Sequence, residues 1–200
     1  TTAGGAWKAC KDLGAAYSLI SNAEWQTLAR NIESVASNWS GGTVGSGGIN
    51  RGNSNGSNAY SVSNTTDPYD QTGKNSGQAF GGGWEQKRTH TLSNGEVIWD
   101  LAGNVYEWVR DDYANLGIDP AISSGWNELS SLSANNITIL GPSGSYTSAN
   151  GMGEFYGGTG GAVFRGGNWM NSTKTGIYSG QSNNGAAVFG NSIGFRCVYE

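Results

Sequence analysis

The sequence has few charged residues. Asp, Glu, Lys and Arg make up 13% of the 200 residues, about half of the roughly 25% that is typical of globular chains. The basic residues are scattered, with Lys87-Arg88 as the one adjacent pair, and the net charge is −4. Because binding to a phosphate backbone requires clustered Lys and Arg, we expect no nucleic-acid partner.

Histidine and cysteine are also scarce. His90 is the only histidine, which excludes a metal site built from several imidazoles. We expect His90 on the polar face of an alternating strand. The two cysteines, Cys10 and Cys197, leave two possibilities open, a bridge or two buried thiols. There is no uninterrupted apolar run of about 18 residues, so we expect no membrane insertion.

Glycine and aromatic residues are abundant. The chain contains 34 Gly, 8 Trp, 9 Tyr and 5 Phe. Glycine weakens helix interiors by roughly 1 kcal/mol per residue, whereas aromatic side chains bury large apolar areas. Two hundred residues suit one domain. We therefore expect a single compact, loop-rich domain over residues 1–200.

Local patterns predict two helices and several strands. A short helix over residues 7–14 is expected to end at Gly14. A second helix begins after Ser21, since Glu24 stands at the capping-box position, and ends near Asn38. Strands are predicted at residues 88–92 and 96–99, as a hairpin around Asn94-Gly95, and at residues 105–109, 162–165 and 195–199.

Two long stretches lack a regular pattern. Residues 41–83 are rich in Gly, Ser, Asn and Thr, and we expect an ordered insert loop. Its expected anchors are Tyr60, Tyr69, Phe80 and Trp84. Residues 114–160 are predicted to form a second irregular stretch.

The segment 168–192 has the composition of a binding surface. It holds five Asn, four Gly and four Ser, and Lys174 is its only charge. Antibody-like paratopes use the same mixture, although a plain loop is rich in the same residues. By type, its anchors would be Trp169, Tyr178 and Phe189, with Tyr178 the one most expected to be exposed. The predicted contact residues are Asn168, Met170, Asn171, Ser172, Lys174, Tyr178, Gln181, Asn183, Asn184, Val188 and Asn191.

Three ordered motifs resemble the formylglycine-generating-enzyme (sulfatase-modifying) family. They are Asn22-Ala23-Glu24-Trp25, Asp100-Leu101-Ala102-Gly103-Asn104-Val105-Tyr106-Glu107-Trp108, and Phe164-Arg165-Gly166-Gly167-Asn168-Trp169 with Gly194-Phe195-Arg196-Cys197. Residues 19–25, 91–100 and 193–197 also resemble the variable proteins of diversity-generating retroelements. The resemblance implies an α+β, C-type-lectin-like fold of two helices with small antiparallel sheets and much irregular loop.

The narrower resemblance implies a display protein, not an enzyme. In such proteins a diversified segment, here about residues 166–193, binds a protein or cell-surface target. The resemblance further implies exposure on a cell or virion surface, and we expect a monomer. The enzymes of the family use a cysteine pair shortly after Arg-Gly-Gly, and residues 168–174 contain none. Two alternatives remain, a formylglycine-generating-type oxidase that has lost this pair and a calcium-dependent carbohydrate lectin.

The resemblance also bears on a metal and on the cysteines. The calcium site of the family would fall on Asp100, Gly103, Val105 and Glu107, and two carboxylates with carbonyls suit that ion. The alternative, which we favour, has Asp100 capping a turn and Glu107 paired with Arg165 or Arg196. No cofactor is then required. Because such folds pack the first helix against the terminal strand, Cys10 and Cys197 are expected to be close, with a slight preference for a bridge.

Overall fold

The computed structural model describes residues 5–54, 87–158 and 161–200. Three α-helices and ten strands lie in these ranges. The helices are α1 (Ala6–Asp12), α2 (Asn22–Glu33) and α3 (Ala134–Leu140). The strands are β1 (Tyr17–Leu19), β2 (Thr89–Thr91), β3 (Val97–Trp99), β4 (Tyr106–Asp112), β5 (Gly125–Glu128), β6 (Glu154–Gly157), β7 (Ala162–Arg165), β8 (Gly180–Asn184), β9 (Ile193–Phe195) and β10 (Cys197–Tyr199).

Helix α2 begins as the sequence predicts and ends earlier. The Ser21 side chain accepts from the Glu24 amide, and the Glu24 side chain accepts from the Ser21 amide, which is the capping box. The helix stops at Glu33, and a separate 3-10 turn covers Ala36–Asn38. The Asn38 amide group donates to the Ile32 carbonyl at 2.9 Å, so that carbonyl is satisfied without a further helical turn.

The largest sheet is mixed and has six strands in the order β5-β6-β8-β7-β4-β9. Its parallel pairs are β6 with β8 and β4 with β9. The other two sheets are antiparallel pairs, β1 with β10 and β2 with β3. The hairpin around Asn94-Gly95 is confirmed. Two of the three sheets are thus the small antiparallel sheets that were expected, whereas the six-stranded sheet is larger and mixed. Its parallel pairs join strands that are distant in sequence.

Two predicted segments are divided differently in the structure. The strand expected at 195–199 changes sheets at Arg196: β9 pairs with β4, and β10 pairs with β1. Residues 114–160 are not one irregular stretch, since they contain β5, α3 and β6. The Ser133 hydroxyl caps α3 by accepting from the Asn136 amide at 3.2 Å. The fold therefore has three helices and not two.

The core lies between the inner face of the six-stranded sheet and helices α2 and α3. Its fully buried residues include Trp25 and Ile32 of α2, Leu140 of α3, Phe155 of β6 and Val163 of β7. A buried face on each element is what amphipathic helices and alternating strands require.

His90 is buried too, so its expected position on a polar face is wrong. The ring Nε2 donates to the Asn50 carbonyl at 3.1 Å. This hydrogen bond allows the side chain to be buried, because a buried imidazole N–H needs an acceptor.

Residues 55–83 of the predicted insert loop, with all four of its aromatic anchors, lie outside the described residues. None of the helices in the described ranges has the length and apolar character needed to cross a membrane.

Candidate ligand-binding surface

One residue from each strand of the six-stranded sheet lies in a single row across the sheet. The pairings run from β5 through β6, β8, β7 and β4 to β9. Val163 and Arg165, on either side of the β7 member, are buried in the core, so the row lies on the opposite, outer face. Its members are Trp126, Tyr156, Gln181, Phe164, Trp108 and Phe195. We call this set the outer row.

Aromatic contacts join two pairs of side chains within the outer row. The rings of Trp126 and Tyr156 are perpendicular, with centroids 5.3 Å apart. The Trp108 and Phe164 rings lie 3.9 Å apart, and Phe164 is only 1% exposed. Pairs of this kind add about 0.5–1.5 kcal/mol each beyond the area they bury. The row is therefore accessible to solvent at its Trp126 and Phe195 ends and buried in the middle, at Phe164.

Tyr178 lies in the core, and the prediction that it is exposed is wrong. Its hydroxyl donates to the Glu33 carboxylate, which is buried as well. Burial raises the pKa of Tyr178, and the adjacent Glu33 charge raises it further. A buried phenol requires such a partner, so Tyr178 stabilises the scaffold and is not available as a contact residue.

Asn168 also belongs to the scaffold. It is 3% exposed, and its side-chain oxygen accepts from the Met170 amide at 2.9 Å. The preceding Gly166 has φ +85°, and a Cβ there would lie 2.7 Å from the Leu101 carbonyl oxygen. Only glycine fits that position. The turn that leads into the segment is therefore fixed by its backbone.

The remaining predicted contact residues face outward or are half-buried. Met170, Asn183, Val188 and Asn191 are exposed. The half-buried ones are Asn171, Ser172, Lys174, Gln181 and Asn184. Residues 185–191, which connect β8 to β9, are exposed without exception, and Phe189 is 92% exposed. The structure thus leaves most of the predicted contact residues exposed or half-buried, whereas Asn168 and Tyr178 are buried.

An apolar crevice of about 470 Å³ lies at the β9 end of the outer row. Trp108, Val188, Phe189 and Phe195 line it, together with residues 5–6 at the start of α1. Sequence reasoning missed Trp108, Phe195 and the other aromatic members of the row. The only local signal was the alternation in strands such as Glu154-Phe155-Tyr156, because the row itself depends on register between distant strands.

The two carboxylates of the possible calcium site are both occupied by arginine. The Arg88 Nε donates to Asp100 Oδ1 at 2.8 Å, and a second guanidinium nitrogen contacts Oδ2. Arg196 donates to both oxygens of Glu107, and also lies 3.4 Å from the Trp99 and Asp100 carbonyls. A cation would have to displace two guanidinium groups. The residues as arranged do not fit calcium, and Glu107 pairs with Arg196 rather than Arg165.

The two cysteines form a disulfide. Cys10 in α1 and Cys197 at the start of β10 have Cα atoms 5.4 Å apart, within the distance that a bridge spans. Cys10 is fully buried. Since the chain has two cysteines, neither is a free thiol.

Comparison with known families gives one match over nearly the whole chain. Residues 4–200 match the sulfatase-modifying factor enzyme 1-like domain. A search of the curated proteins finds no match to this chain. The α+β fold with its irregular loops and the three motifs noted above agree with this domain. The chain therefore belongs to the family of sulfatase-modifying factor enzyme 1-like domains.

Proposed function

We propose that the chain is a non-enzymatic display protein, similar to the variable proteins of diversity-generating retroelements. Its display surface comprises the outward residues Met170, Asn171, Ser172, Lys174, Gln181, Asn183, Asn184, Val188, Phe189 and Asn191, together with the open members of the outer row. The surface binds a protein or cell-surface target. This role would place the protein, as a monomer, on a cell or virion surface.

The observation that carries this proposal is that residues 168–191 divide into fully buried side chains and exposed ones. Thr175, Tyr178, Ser179 and Ser182 are fully buried, while residues 185–191 are exposed throughout. Substitutions at the exposed positions therefore remove few contacts in the core. Such changes usually lower the free energy of unfolding by less than about 0.5 kcal/mol each. A segment built in this way can change its outward side chains and keep its fold.

The outer row supplies what a diversified loop lacks, which is a fixed aromatic base. A few large anchors provide most of the binding energy in protein interfaces. Trp126 and Tyr156 at one end, and Trp108, Phe189 and Phe195 at the other, are residues of that type. Asn and Gln between them supply adaptable hydrogen bonds.

The cysteines argue against the oxidase alternative. Thiolate is the reactive form of cysteine, and both cysteines of this chain are joined in the disulfide. The arginine pairs at Asp100 and Glu107 argue in the same way against a calcium-dependent lectin. An incubation with copper and a cysteine-containing sulfatase-motif peptide tests the first point. We expect no formylglycine by mass spectrometry, and conversion of the peptide would overturn the non-enzymatic assignment.

A displayed library tests the proposal directly. Six outward positions are randomised together and selected on two unrelated proteins: Met170, Gln181, Asn183, Asn184, Val188 and Asn191. Asn171 is kept, because its side chain accepts from the Asn168 backbone amide at 3.0 Å. We expect separate folded binders for each target. A matched library at the buried Thr175, Tyr178, Ser179 and Ser182 should yield few folded clones. Failure of the outward library to give folded clones would contradict the proposal.

A further inference from the structure

Two glutamates face each other at the β5–β6 end of the outer row. Glu128 and Glu154 are direct cross-strand partners, an arrangement that destabilises a sheet because their charges repel. Glu128 accepts from the Ser148 amide at 2.9 Å and from the Ser148 hydroxyl. The side chain of Glu154 makes no hydrogen bond or ion pair with any residue in the described ranges. The carboxylate of Glu154 is thus without a direct hydrogen-bonding or ion-pair partner in that part of the chain.

An aromatic pair stands beside these carboxylates, and the chain already places a cation there. The Lys174 ammonium lies 5.1 Å from the centroid of the Trp126 ring, and Trp126 is packed edge-on against Tyr156. The face of an indole attracts cations through its quadrupole. Lys174 is the only charged residue in the segment 168–192.

The three charges influence one another. Burial raises the pKa of Glu154, the charge of Glu128 raises it further, and Lys174 lowers it. Lys174 and Glu154 do not form an ion pair within 4 Å in the described structure. Lys174 therefore offsets the repulsion between the glutamates only in part, and the site retains an excess of negative charge.

We propose that Trp126, Tyr156, Glu128 and Glu154 form a subsite of the display surface that takes a lysine or arginine side chain of the partner protein. The subsite rests on the proposed display function. Lys174 occupies part of it in the free protein and leaves when the partner cation enters. The site offers aromatic side chains and only two carboxylates, one of them already bound to Ser148. This suits an organic cation better than a metal ion, because a metal ion requires more oxygen ligands.

The probe is a short oligo-arginine amide, with the isosteric neutral citrulline peptide as its control. Binding is followed by tryptophan fluorescence and by the NMR signal of the Trp126 indole N–H. We expect the arginine peptide to shift this signal, to bind more weakly as salt rises, and the citrulline peptide to have no comparable effect. Equal binding of the two peptides would overturn the proposal.

Glu154→Gln and Glu96→Gln separate a local site from net charge. Both remove one negative charge, and Glu96 is exposed in the turn between β2 and β3. We expect Glu154→Gln to weaken peptide binding roughly two- to fivefold and Glu96→Gln to leave it nearly unchanged. Glu154→Gln should also raise the melting temperature by about 1–2 °C by removing a like-charge pair. Equal effects of the two variants on binding would contradict the subsite.

Lys174→Met tests the competition. We expect it to strengthen binding of the arginine peptide by roughly two- to threefold, and more than the charge-matched Lys8→Met on the exposed face of α1. Weaker binding would show that Lys174 does not compete. The outcome is separable from that of the display function, because the randomised library does not alter Glu128, Glu154 or Lys174. A successful library with no peptide binding would overturn the subsite alone.

Discussion

The Tyr178 hydroxyl donates to the Glu33 carboxylate, and this hydrogen bond joins the segment 168–192 to helix α2. The same carboxylate accepts from the Ser143 amide at 3.0 Å. Glu33 therefore connects three parts of the chain that are far apart in sequence.

Tyr178→Phe should destabilise the fold without changing the outward surface. Loss of the hydroxyl leaves the buried Glu33 with one partner fewer, and this costs about 1–3 kcal/mol. Urea unfolding measures the effect. Tyr156→Phe is the control, since Tyr156 is half-buried in the outer row and should change stability by less than about 0.5 kcal/mol. A Tyr178→Phe variant with unchanged stability would contradict the scaffold role.

Reduction of the disulfide should lower stability substantially. The bridge between Cys10 and Cys197 closes a loop with a sequence separation of 187. Removing a native bridge typically costs about 2–5 kcal/mol. We expect dithiothreitol to lower the melting temperature of the wild type and to have no effect on Cys10→Ala/Cys197→Ala. A wild type that is insensitive to reductant would show that the bridge contributes nothing.

Arg196 should matter far more than Arg110. The Glu107 side chain is 7% exposed, and burial raises its pKa while Arg196 opposes this. Arg196→Met leaves that carboxylate unpaired and should cost about 3–5 kcal/mol. Arg110→Met removes an ion pair whose side chains are each 41% exposed, and should destabilise the fold far less because water screens such a pair. Equal losses in chemical unfolding would contradict this assignment.

The same ion pairs predict that calcium is not needed for stability. We expect EDTA and added calcium to leave the melting temperature of the wild type unchanged, because arginine already balances both carboxylates. A melting temperature that falls when EDTA is added and recovers when calcium is added would show that the protein binds calcium.

His90 should make stability depend on pH. Burial lowers its pKa from 6.5 to about 4, so between these values the unfolded chain binds a proton that the folded chain does not. Above about pH 6.5 His90 is neutral in both states and does not lower the free energy of unfolding. Towards pH 4 it lowers the free energy of unfolding by up to roughly 3 kcal/mol. Urea titrations at about pH 7 and pH 4.5 measure this change. His90→Gln should show a smaller loss on acidification, and an equal loss would contradict the prediction.

Local signals predicted the elements that depend on few residues. The Ser21–Glu24 capping box and the Asn94-Gly95 turn each act within a few positions, and both are present in the structure. Helix α3 had comparable signals in Ser133 and Gly141, at its two ends. They were missed because Asn135, Asn136 and the β-branched Ile137, Thr138 and Ile139 have modest helix propensity in a helix of seven residues.

The outer row of the six-stranded sheet could not be predicted from the sequence in the same way. Trp126, Tyr156 and Trp108 lie in one row across the sheet only through the strand order and register of the six-stranded sheet. Tyr178 is buried against Glu33, and this partner could not be inferred from the sequence because it is 145 residues away. Its polar, glycine-rich surroundings in sequence resemble those of the exposed residues, so composition could not distinguish the buried residues of the segment from the exposed ones.

The most direct test compares the melting temperatures of two multiple variants of this one segment. The outward variant combines Met170→Ser, Asn183→Tyr, Asn184→Ser, Val188→Asn, Phe189→Ser and Asn191→Tyr. The inward variant combines Thr175→Asn, Ser179→Asn and Ser182→Asn, three positions that are fully buried. We predict that the outward variant melts within about 5 °C of the wild type, whereas the inward variant melts more than about 10 °C lower or does not fold. An outward variant that unfolds as readily as the inward one would contradict the display function.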